Sequence, residues 1–279
     1  MSPAIDIQRN NDGIVVLTLD RPATRNAIDD EMASAIVDAC AMVDADLDVR
    51  CVVLAANGPS FCAGGNVKEM VAAKGMFGGN PAEMRRSYRT GIQRVPLALY
   101  GLEVPVIAAV NGPAIGAGFD LTLMCDLRIA STAARFAESF IRLGLISGDG
   151  GAWFLPRTIG MARASHMTLT GEAIDARTAL DWGLVYEVAV PEQLVEQALK
   201  TARKIAAHPP HSVRLNKRLL REAAGMTLPQ TLELSGCLQS LVQHTADHRE
   251  ALQAFVKKNG RRFTKQSEVS RSRRTSAAS

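Results

Sequence analysis

A glycine-rich stretch near the middle of the chain has residue types that could stabilise negative charge. It reads Val-Asn-Gly-Pro-Ala-Ile-Gly-Ala-Gly-Phe-Asp over residues 110–120. The apolar run Val104–Val110 before it predicts a buried strand, and Phe119–Cys125 after it predicts a helix. The first N–H groups of a helix have no internal partner, and the helix dipole adds positive potential there. The stretch therefore predicts a site that favours an anionic oxygen, although an ordinary tight strand–helix connection has the same pattern.

A second stretch repeats this arrangement earlier in the chain. The apolar run Val52–Ala56 predicts a buried strand, glycines and other small residues fill much of 58–66, and 67–70 predicts a short helix. Two such turns in one domain could aim two N–H donors at one oxygen atom. That is the requirement of an oxyanion hole, which stabilises a carbonyl oxygen as it gains negative charge.

These segments together resemble the crotonase family, also called the enoyl-CoA hydratase/isomerase family. The resemblance rests on three fragments, which are Phe-Cys-Ala-Gly-Gly-Asn-Val-Lys-Glu-Met at 61–70, Asn-Gly-Pro-Ala-Ile-Gly-Ala-Gly at 111–118 and Cys-Asp-Leu-Arg-Ile-Ala at 125–130. Arg21-Pro22 followed by Asn26-Ala27 also fits, as does Thr170-Gly171-Glu172. The fragments occur in the family's order, and the similarity extends from about Ile14 to about Phe263.

The resemblance implies an α/β fold, a crotonase-like ββα spiral core with a helical C-terminal region. We expect residues 1–190 to form the acyl-CoA-binding core and 191–265 to form a helical trimerisation region. Residues 266–279 are predicted to be a basic, solvated tail. The family's C-terminal helices pack between subunits, so the resemblance implies a homotrimer or a dimer of trimers.

The resemblance also assigns roles in binding an acyl-CoA thioester. The oxyanion donors fall on the N–H groups of Gly65 and Ala117. The residues that would bind substrate or its coenzyme A portion are Arg25, Ala63, Gly65, Lys68, Phe140 and Phe263. Coenzyme A is part of the substrate, so no separate cofactor and no metal are expected.

The acid and base groups depart from the family pattern. Family hydratases place a pair of glutamates across the alkene; here the first falls on Asp120 and the second on Phe140, which cannot transfer a proton. Asp149, in a third glycine-rich turn, is the leading substitute, and Glu138 is the alternative. We expect Asp120 and Asp149 to face one pocket, with Phe140 lining it.

Each of these carboxyl groups also has a purely structural interpretation. Asp120 could complement the dipole of its helix. Asp149 could cap a helix over Trp153–Ile159, and Glu138 could be a solvated strand end.

Three functions therefore stay open at this point. Hydration of a 2-enoyl-CoA is favoured, and an enoyl-CoA or dienoyl-CoA double-bond shift is the first alternative. A non-catalytic module that binds RNA or protein is the second, supported only by the basic residues near the C-terminus. Dinucleotide and nucleoside triphosphate chemistry lose support, because neither a Gly-x-Gly-x-x-Gly nor a Walker A motif occurs.

Composition and cysteine usage predict a cytoplasmic enzyme. The 279 residues are 47% hydrophobic with a net charge of +4, and no apolar run reaches the roughly 20 residues of a membrane span. The N-terminus lacks the basic and apolar regions of a signal peptide. Five cysteines without zinc-ligand spacing indicate a reducing compartment. Cys62 is only a weak candidate nucleophile, since no histidine is near it in sequence.

The pattern of apolar residues also predicts where several elements begin and end. Strands are expected at Ile14–Leu19, Cys51–Ala56 and Leu127–Ser131. Helices are expected at Asn26–Asp46, at Glu83–Leu102 with an interruption at Pro96, and at Leu228–Phe255.

Overall fold

A computed structural model describes residues 4–257 and divides the chain into two compact units. The first extends to Ala207 and the second begins at His208. The strands are β1 (Ile5–Arg9), β2 (Ile14–Leu19), β3 (Cys51–Ala56), β4 (Val106–Val110), β5 (Pro113–Ile115), β6 (Leu127–Ser131), β7 (Arg135–Ala137), β8 (Ala173–Asp175) and β9 (Glu187–Ala189).

The first unit also contains helices, and the second unit consists of helices in the described residues. They are α1 (Asp30–Ala45), α2 (Val67–Val71), α3 (Pro81–Thr90), α4 (Arg94–Gly101), α5 (Ala117–Leu123), α6 (Gly151–Ile159), α7 (Met161–Thr170), α8 (Ala176–Asp181), α9 (Leu194–Ala206), α10 (Pro210–Ala223) and α11 (Leu228–Gln243). Residues 246–257 are also helical. Short 3-10 helices cover Pro22–Thr24, Gly75–Phe77, Ser139–Leu143 and Pro191–Gln193.

The main sheet carries the glycine turns at the ends of its strands. Its order is β1-β2-β3-β4-β6-β9; β1 pairs with β2 antiparallel, and every other neighbouring pair is parallel. All five residues of β4 are buried, as expected for a central parallel strand covered on both faces. A second sheet, β5-β7-β8, continues directly from the end of β4.

One face of the main sheet packs against α9. Leu194, Ala198 and Ala202 of this helix join a buried cluster with Val53 and Ile107 of the sheet. Because α9 completes this apolar layer, the first compact unit continues past the 1–190 core expected from the sequence. The assignment of 191–265 to trimerisation stays a prediction, and 258–279 lie outside the described residues.

Two predicted helices differ from the observed ones at their boundaries. The first helix begins at Asp30 instead of Asn26, because Asn26 has a positive φ of 55° and Asp29 accepts a hydrogen bond from Met32 N at 2.8 Å as the N-cap. The predicted helix 83–102 is two helices, α3 and α4, separated at residues 91–93. Pro96 does not interrupt α4, because it lies in the first turn, where proline is tolerated.

The second unit consists of α10, α11 and the helical residues 246–257. The single predicted helix 228–255 is divided at residues 244–245. Large apolar side chains on this unit are exposed in the single chain, among them Leu228, Leu232, Leu241, Leu252 and Phe255. Among residues 4–257, the helices are too short or too polar to cross a membrane.

The central strands should dominate the stability of the first unit. Leu54 on β3 is 1% exposed, so Leu54→Ala should lower the free energy of unfolding by about 2–5 kcal/mol through lost burial and a cavity. Urea denaturation followed by circular dichroism measures this change. Leu47→Ala is the control, because Leu47 is 74% exposed; its effect should stay within about 0.5 kcal/mol. Equal losses in the two variants would contradict this account of the core.

Candidate active site

The two glycine turns predicted from the sequence meet in the structure. Cys62 of the first turn forms a parallel bridge with Ala114 of β5. Cys62 N donates to Pro113 O at 3.2 Å, and Ile115 N donates to Cys62 O at 3.0 Å. The first turn therefore runs as an extra strand beside the segment that leads into α5.

Glycine is required where these backbones approach most closely. A Cβ on Gly118 would overlap Cys62 O and lie 2.7 Å from Cys62 C, so α5 could not pack this near with a larger residue. Gly64 has a φ of +85°, and a Cβ there would lie 2.5 Å from Ile115 O and 3.4 Å from Ala117 N. The first turn thus lies directly against the N-terminus of α5.

Asn26 holds the first turn in place, a role that sequence reasoning missed. Its side-chain Nδ2 lies within hydrogen-bond distance of three carbonyl oxygens, those of Asn57, Ser60 and Phe61, at 2.9–3.1 Å. Its Oδ1 accepts from Arg21 N at 2.8 Å, and the residue is fully buried. The signal was present in the sequence, since asparagine favours the left-handed conformation that Asn26 adopts.

The two predicted oxyanion donors lie on one cavity. Gly65 and Ala117 both line it. Within residues 4–257, neither of their N–H groups has a hydrogen-bond acceptor. Ala117 is the first residue of α5, so its N–H is one of the free donors at a helix N-terminus. Their convergence on one substrate oxygen stays a prediction that this arrangement supports.

The remainder of the cavity is mostly apolar. Its larger side chains are Met70, Met76, Phe77, Tyr88, Ile92, Phe140 and Leu145. Phe140 lines it as predicted, whereas the contributions of Met76, Phe77 and Tyr88 were not predicted. The cavity volume is about 30 Å³, which is small beside the roughly 300–1,000 Å³ of typical ligand pockets. An acyl group can therefore enter only if these side chains move.

Three carboxyl groups cluster at one end of the cavity, but only one of them lines it. Asp149 is part of the wall. Asp120 was expected to face the pocket beside Asp149; among residues 4–257, however, neither it nor Glu138 lines the cavity. Both lie against Gly151, where a Cβ would overlap Asp120 Oδ1 and Glu138 Oε1.

The start of α6 binds the Asp120 carboxyl, which also lies within hydrogen-bond range of Asp149. Its Oδ2 accepts hydrogen bonds from Gly151 N and Ser147 Oγ, both at 3.0 Å. It therefore stabilises the N-terminus of a neighbouring helix as well as lying in the first turns of its own. Burial, together with the nearby charge of Glu138, raises the pKa of Asp120 to about 8.

Glu138 is buried, which rules out its interpretation as a solvated strand end. It is 1% exposed, and neither of its carboxyl oxygens has a hydrogen-bond donor in the described part of the chain. Burial is the main cause that raises the pKa of Glu138 to about 7, and the charge of Asp149 adds to it.

Asp149 does not cap α6 through its side chain. The N-cap residue of α6 is Gly150, and its position provides no side-chain hydrogen bond to the N-terminus of the helix. Burial raises the pKa of the Asp149 carboxyl well above its usual range, and the charge of Asp120 raises it further. Desolvation and the charge of Asp149 also raise the pKa of Tyr88, so its phenol stays neutral.

Cys62 lies between the turns as a structural thiol. Its Sγ donates to Asn26 O at 3.0 Å, and burial raises its pKa to about 12. A thiol so hard to ionise is a poor nucleophile. Cys40, Cys51 and Cys125 are buried as well, as their apolar sequence context predicted.

Two of the residues assigned to coenzyme A binding, Arg25 and Lys68, are exposed in the structure. Arg25 is exposed, and its carbonyl oxygen accepts from Ala63 N at 3.0 Å, which joins this loop to the first turn. Lys68 is exposed in the first turn of α2. Phe263 lies outside the described residues. Their contacts with coenzyme A stay predictions.

Comparison with known proteins identifies related sequences and folds over nearly the whole chain. Residues 9–266 match the family model described as enoyl-CoA hydratase/isomerase. The chain is 36% identical over 253 residues to 1,2-epoxyphenylacetyl-CoA isomerase of Escherichia coli, covering 90% of this chain and 95% of that protein. It is 35% identical over 252 residues to (E)-benzylidenesuccinyl-CoA hydratase of Thauera aromatica, with 90% and 95% covered.

Solved structures confirm the crotonase-like fold. An enoyl-CoA hydratase from Mycobacterium smegmatis superposes with a TM-score of 0.86 at 34% identity, covering 92% of this chain and 97% of that one. An enoyl-CoA hydratase from Bacillus anthracis gives a TM-score of 0.85 at 32% identity, with 91% and 96% covered.

The close approach of the two turns can be tested at Gly64. Gly64→Ala should lower the free energy of unfolding by about 1–3 kcal/mol, because an alanine there combines a positive φ with a collision against Ile115 O. Gly144→Ala is the matched control: its φ is +67°, but a Cβ would have nothing within 4 Å. Denaturant unfolding should show a clearly larger loss for Gly64→Ala. Similar losses at both positions would mean that the turns do not meet as described.

Proposed function

Because the chain belongs to the enoyl-CoA hydratase/isomerase family and is an acyl-CoA enzyme of hydratase or isomerase type, we propose that it shifts the double bond of an enoyl-CoA. Asp149 would carry the proton between two carbon atoms of the acyl group. The observation that carries this proposal is that, among the described residues, Asp149 has the one carboxyl group that lines the cavity. By the resemblance to the family, Phe140 stands where its hydratases have their second glutamate.

A double-bond shift needs one such group. The Asp149 carboxylate would take a proton from the α carbon of a 3-enoyl thioester. The electron pair of the broken C–H bond would delocalise onto the thioester oxygen, giving a dienolate. The protonated Asp149 would then return the proton to the γ carbon, forming a 2-enoyl thioester and restoring the carboxylate.

The two glycine turns would stabilise the dienolate. Gly65 N–H and Ala117 N–H, which have no acceptor within residues 4–257, are the proposed donors to the thioester oxygen. Each such donor is typically worth about 10²–10³ in rate. A raised pKa makes Asp149 a stronger base when ionised, which suits removal of a weakly acidic α proton.

Hydration is a second candidate, favoured by relatives that are named as hydratases. These include 2,3-dehydroadipyl-CoA hydratase of Escherichia coli, which is 33% identical to this chain. Hydration must activate a water molecule and also protonate the α carbon, so Asp149 would have to perform both tasks or share them with a group that moves into the cavity.

We also propose how coenzyme A binds, what kind of acyl group the cavity takes and where in the cell the protein is located. We propose that Arg25, Ala63, Lys68 and Phe263 contact the coenzyme A portion, and that no further cofactor is needed. The side chains of Met76, Phe77 and Leu145 on the cavity wall support an apolar acyl group. The free, mostly buried cysteines support a cytoplasmic location.

Turnover in isotopically labelled water separates these functions. A panel of short, aromatic and dicarboxylic 2-enoyl- and 3-enoyl-CoA esters is incubated in H₂¹⁸O and followed by ultraviolet absorbance and mass spectrometry. Isomerisation converts 3-enoyl to conjugated 2-enoyl esters without a mass increase, whereas hydration incorporates ¹⁸O. A non-catalytic binding module would do neither, and it would not exchange the α proton of a saturated acyl-CoA in D₂O.

Asp149→Asn tests the assigned proton carrier. The variant should lose about 10²–10⁴ in kcat with little change in KM, because the proposed N–H donors are untouched. Asp48→Asn is the control, since Asp48 is exposed and is not among the residues that line the cavity. Near-full activity of Asp149→Asn would remove Asp149 from the mechanism.

We also propose that the exposed leucines of the second unit form the contact between subunits of a trimer or a dimer of trimers. Leu228, Leu232 and Leu241 are each more than 60% exposed, which is unfavourable in water for so many large apolar side chains. Multi-angle light scattering should give a trimer or hexamer mass. Leu232→Lys should lower that mass, whereas Leu47→Lys in the first unit should not. A monomeric parent protein would refute the proposal.

A further inference from the structure

We propose that Asp120 and Glu138 share one proton and act as a positioning pair that limits the negative charge behind Asp149. This inference deepens the proposed function, because it concerns the setting in which Asp149 ionises. The pair makes no contact with substrate in this arrangement, since neither residue lines the cavity.

The first observation is the geometry around Gly151. A Cβ on this glycine would overlap both Asp120 Oδ1 and Glu138 Oε1, so the two oxygen atoms are close neighbours across a position that must stay free of a side chain. Asp120 uses its other oxygen, Oδ2, to accept from Gly151 N and Ser147 Oγ. Oδ1 lies on the side of Glu138, and the Asp149 carboxyl is also within hydrogen-bond range of Asp120.

The second observation is the absence of hydrogen donors at these oxygens. Within residues 4–257, Asp120 Oδ1 and both carboxyl oxygens of Glu138 have no donor, although Asp120 is 0% and Glu138 1% exposed. Two buried carboxylates at such short range repel each other strongly and cannot both stay ionised. A single proton between Oδ1 and Oε1 would remove one charge and satisfy both atoms.

No side-chain cation in the described residues replaces that proton. The charged groups that act on Glu138 are Asp120 and Asp149, and Ser147 is a polar neighbour. The two nearest arginines in sequence contact other parts of the fold: Arg135 Nη1 donates to Ala134 O, and the Arg142 side chain lies beside Gly171.

A metal ion could in principle balance the same charges. Among the described residues, no group of three His, Cys, Asp or Glu side chains is arranged to hold one. The shared proton therefore accounts for the cluster with the groups that the chain itself provides.

The number of negative charges on Asp120 and Glu138 affects how easily Asp149 ionises. With one proton shared, the pair has one negative charge, and Asp149 can ionise next to it. When the pair loses its proton at higher pH, a second charge appears behind the cavity and opposes both the Asp149 carboxylate and the developing dienolate. Activity should therefore fall on the alkaline side.

Glu138→Gln provides the main test. Glutamine can donate its amide N–H to Asp120 Oδ1 without any ionisable proton. In the parent protein, kcat/KM should fall about tenfold per pH unit above the pKa of the pair, and this fall should disappear in Glu138→Gln. Glu138→Asp keeps a carboxyl and should keep the fall, and Glu192→Gln, at an exposed site, should behave as the parent. If Glu138→Gln lowers kcat/KM equally at every pH and keeps the decrease at alkaline pH, the role of Glu138 is merely structural and the proposal is overturned.

Two further readouts do not depend on the reaction. Because the pKa of Asp149 is also raised, the infrared comparison uses Asp149→Asn as its reference protein. Difference infrared spectroscopy near neutral pH should show the carbonyl stretch of a buried protonated carboxyl in that reference and its loss when Glu138→Gln is added. Raised pKa values, about 7 for Glu138 and about 8 for Asp120, mean that the parent loses stability as pH rises through these values. The melting temperature of Glu138→Gln should therefore exceed that of the parent by a margin that grows from about pH 5 to about pH 9.

These readouts separate the failure of one proposal from the failure of the other. If the enzyme neither isomerises nor hydrates any ester, the infrared and melting data still decide whether the proton is shared. If Glu138→Gln does not fold, Asp120→Asn provides the same test, because its amide can accept from Gly151 N and donate to Glu138. Retention of the infrared band and of the pH-dependent melting in a folded variant would overturn the shared proton.

Discussion

The site depends on how closely two stretches of backbone approach each other. Gly118 on α5 packs against the carbonyl group of Cys62, and Gly64 lies against Ile115 O and Ala117 N. No side chain could stand between these segments. The bridge from Cys62 to Ala114 holds the same two segments in register, and Asn26 fixes the first turn from its other side. Two N–H groups consequently lie on one cavity, so the main chain itself contributes to the electrostatic environment there.

Helix N-termini, rather than cations, balance the buried carboxyl groups. Asp120 lies on α5, yet its Oδ2 accepts from the first N–H of α6. The hydrogen bond therefore links the helix that begins at Ala117 to the helix that begins beside Asp149. This balance is partial, because Asp120 Oδ1 and Glu138 receive nothing comparable in the described residues. An arginine or lysine would neutralise the cluster fully, but it would also hold Asp149 ionised with a lowered pKa and so weaken it as a base.

The elements with strong local signals could be predicted from the sequence, whereas several residues of the cavity wall and the burial of Glu138 could not. Strands β2, β3 and β6 match the predicted limits because short, mainly apolar runs of strand length leave little ambiguity. The two glycine turns could be predicted because glycine density is itself a local signal, whereas their role as an oxyanion hole stays a prediction. The wall residues Met76, Phe77 and Tyr88 come from a segment whose sequence shows no relation to the turns, so tertiary packing alone brings them there. The burial of Glu138 was missed for the same reason.

Phe140 shows why the three carboxyl groups belong to one arrangement. It lines the cavity with an apolar ring, and by the resemblance of the sequence it corresponds to the family's second glutamate. This ring lowers the local polarity, so a carboxylate in the wall becomes harder to ionise and more basic. Removing a glutamate there also removes a fourth negative charge from a region that already has three acidic side chains and no side-chain cation among the described residues. Loss of the second acid and gain of Asp149 are thus electrostatically compatible, and together they favour chemistry in which one group both takes and returns a proton.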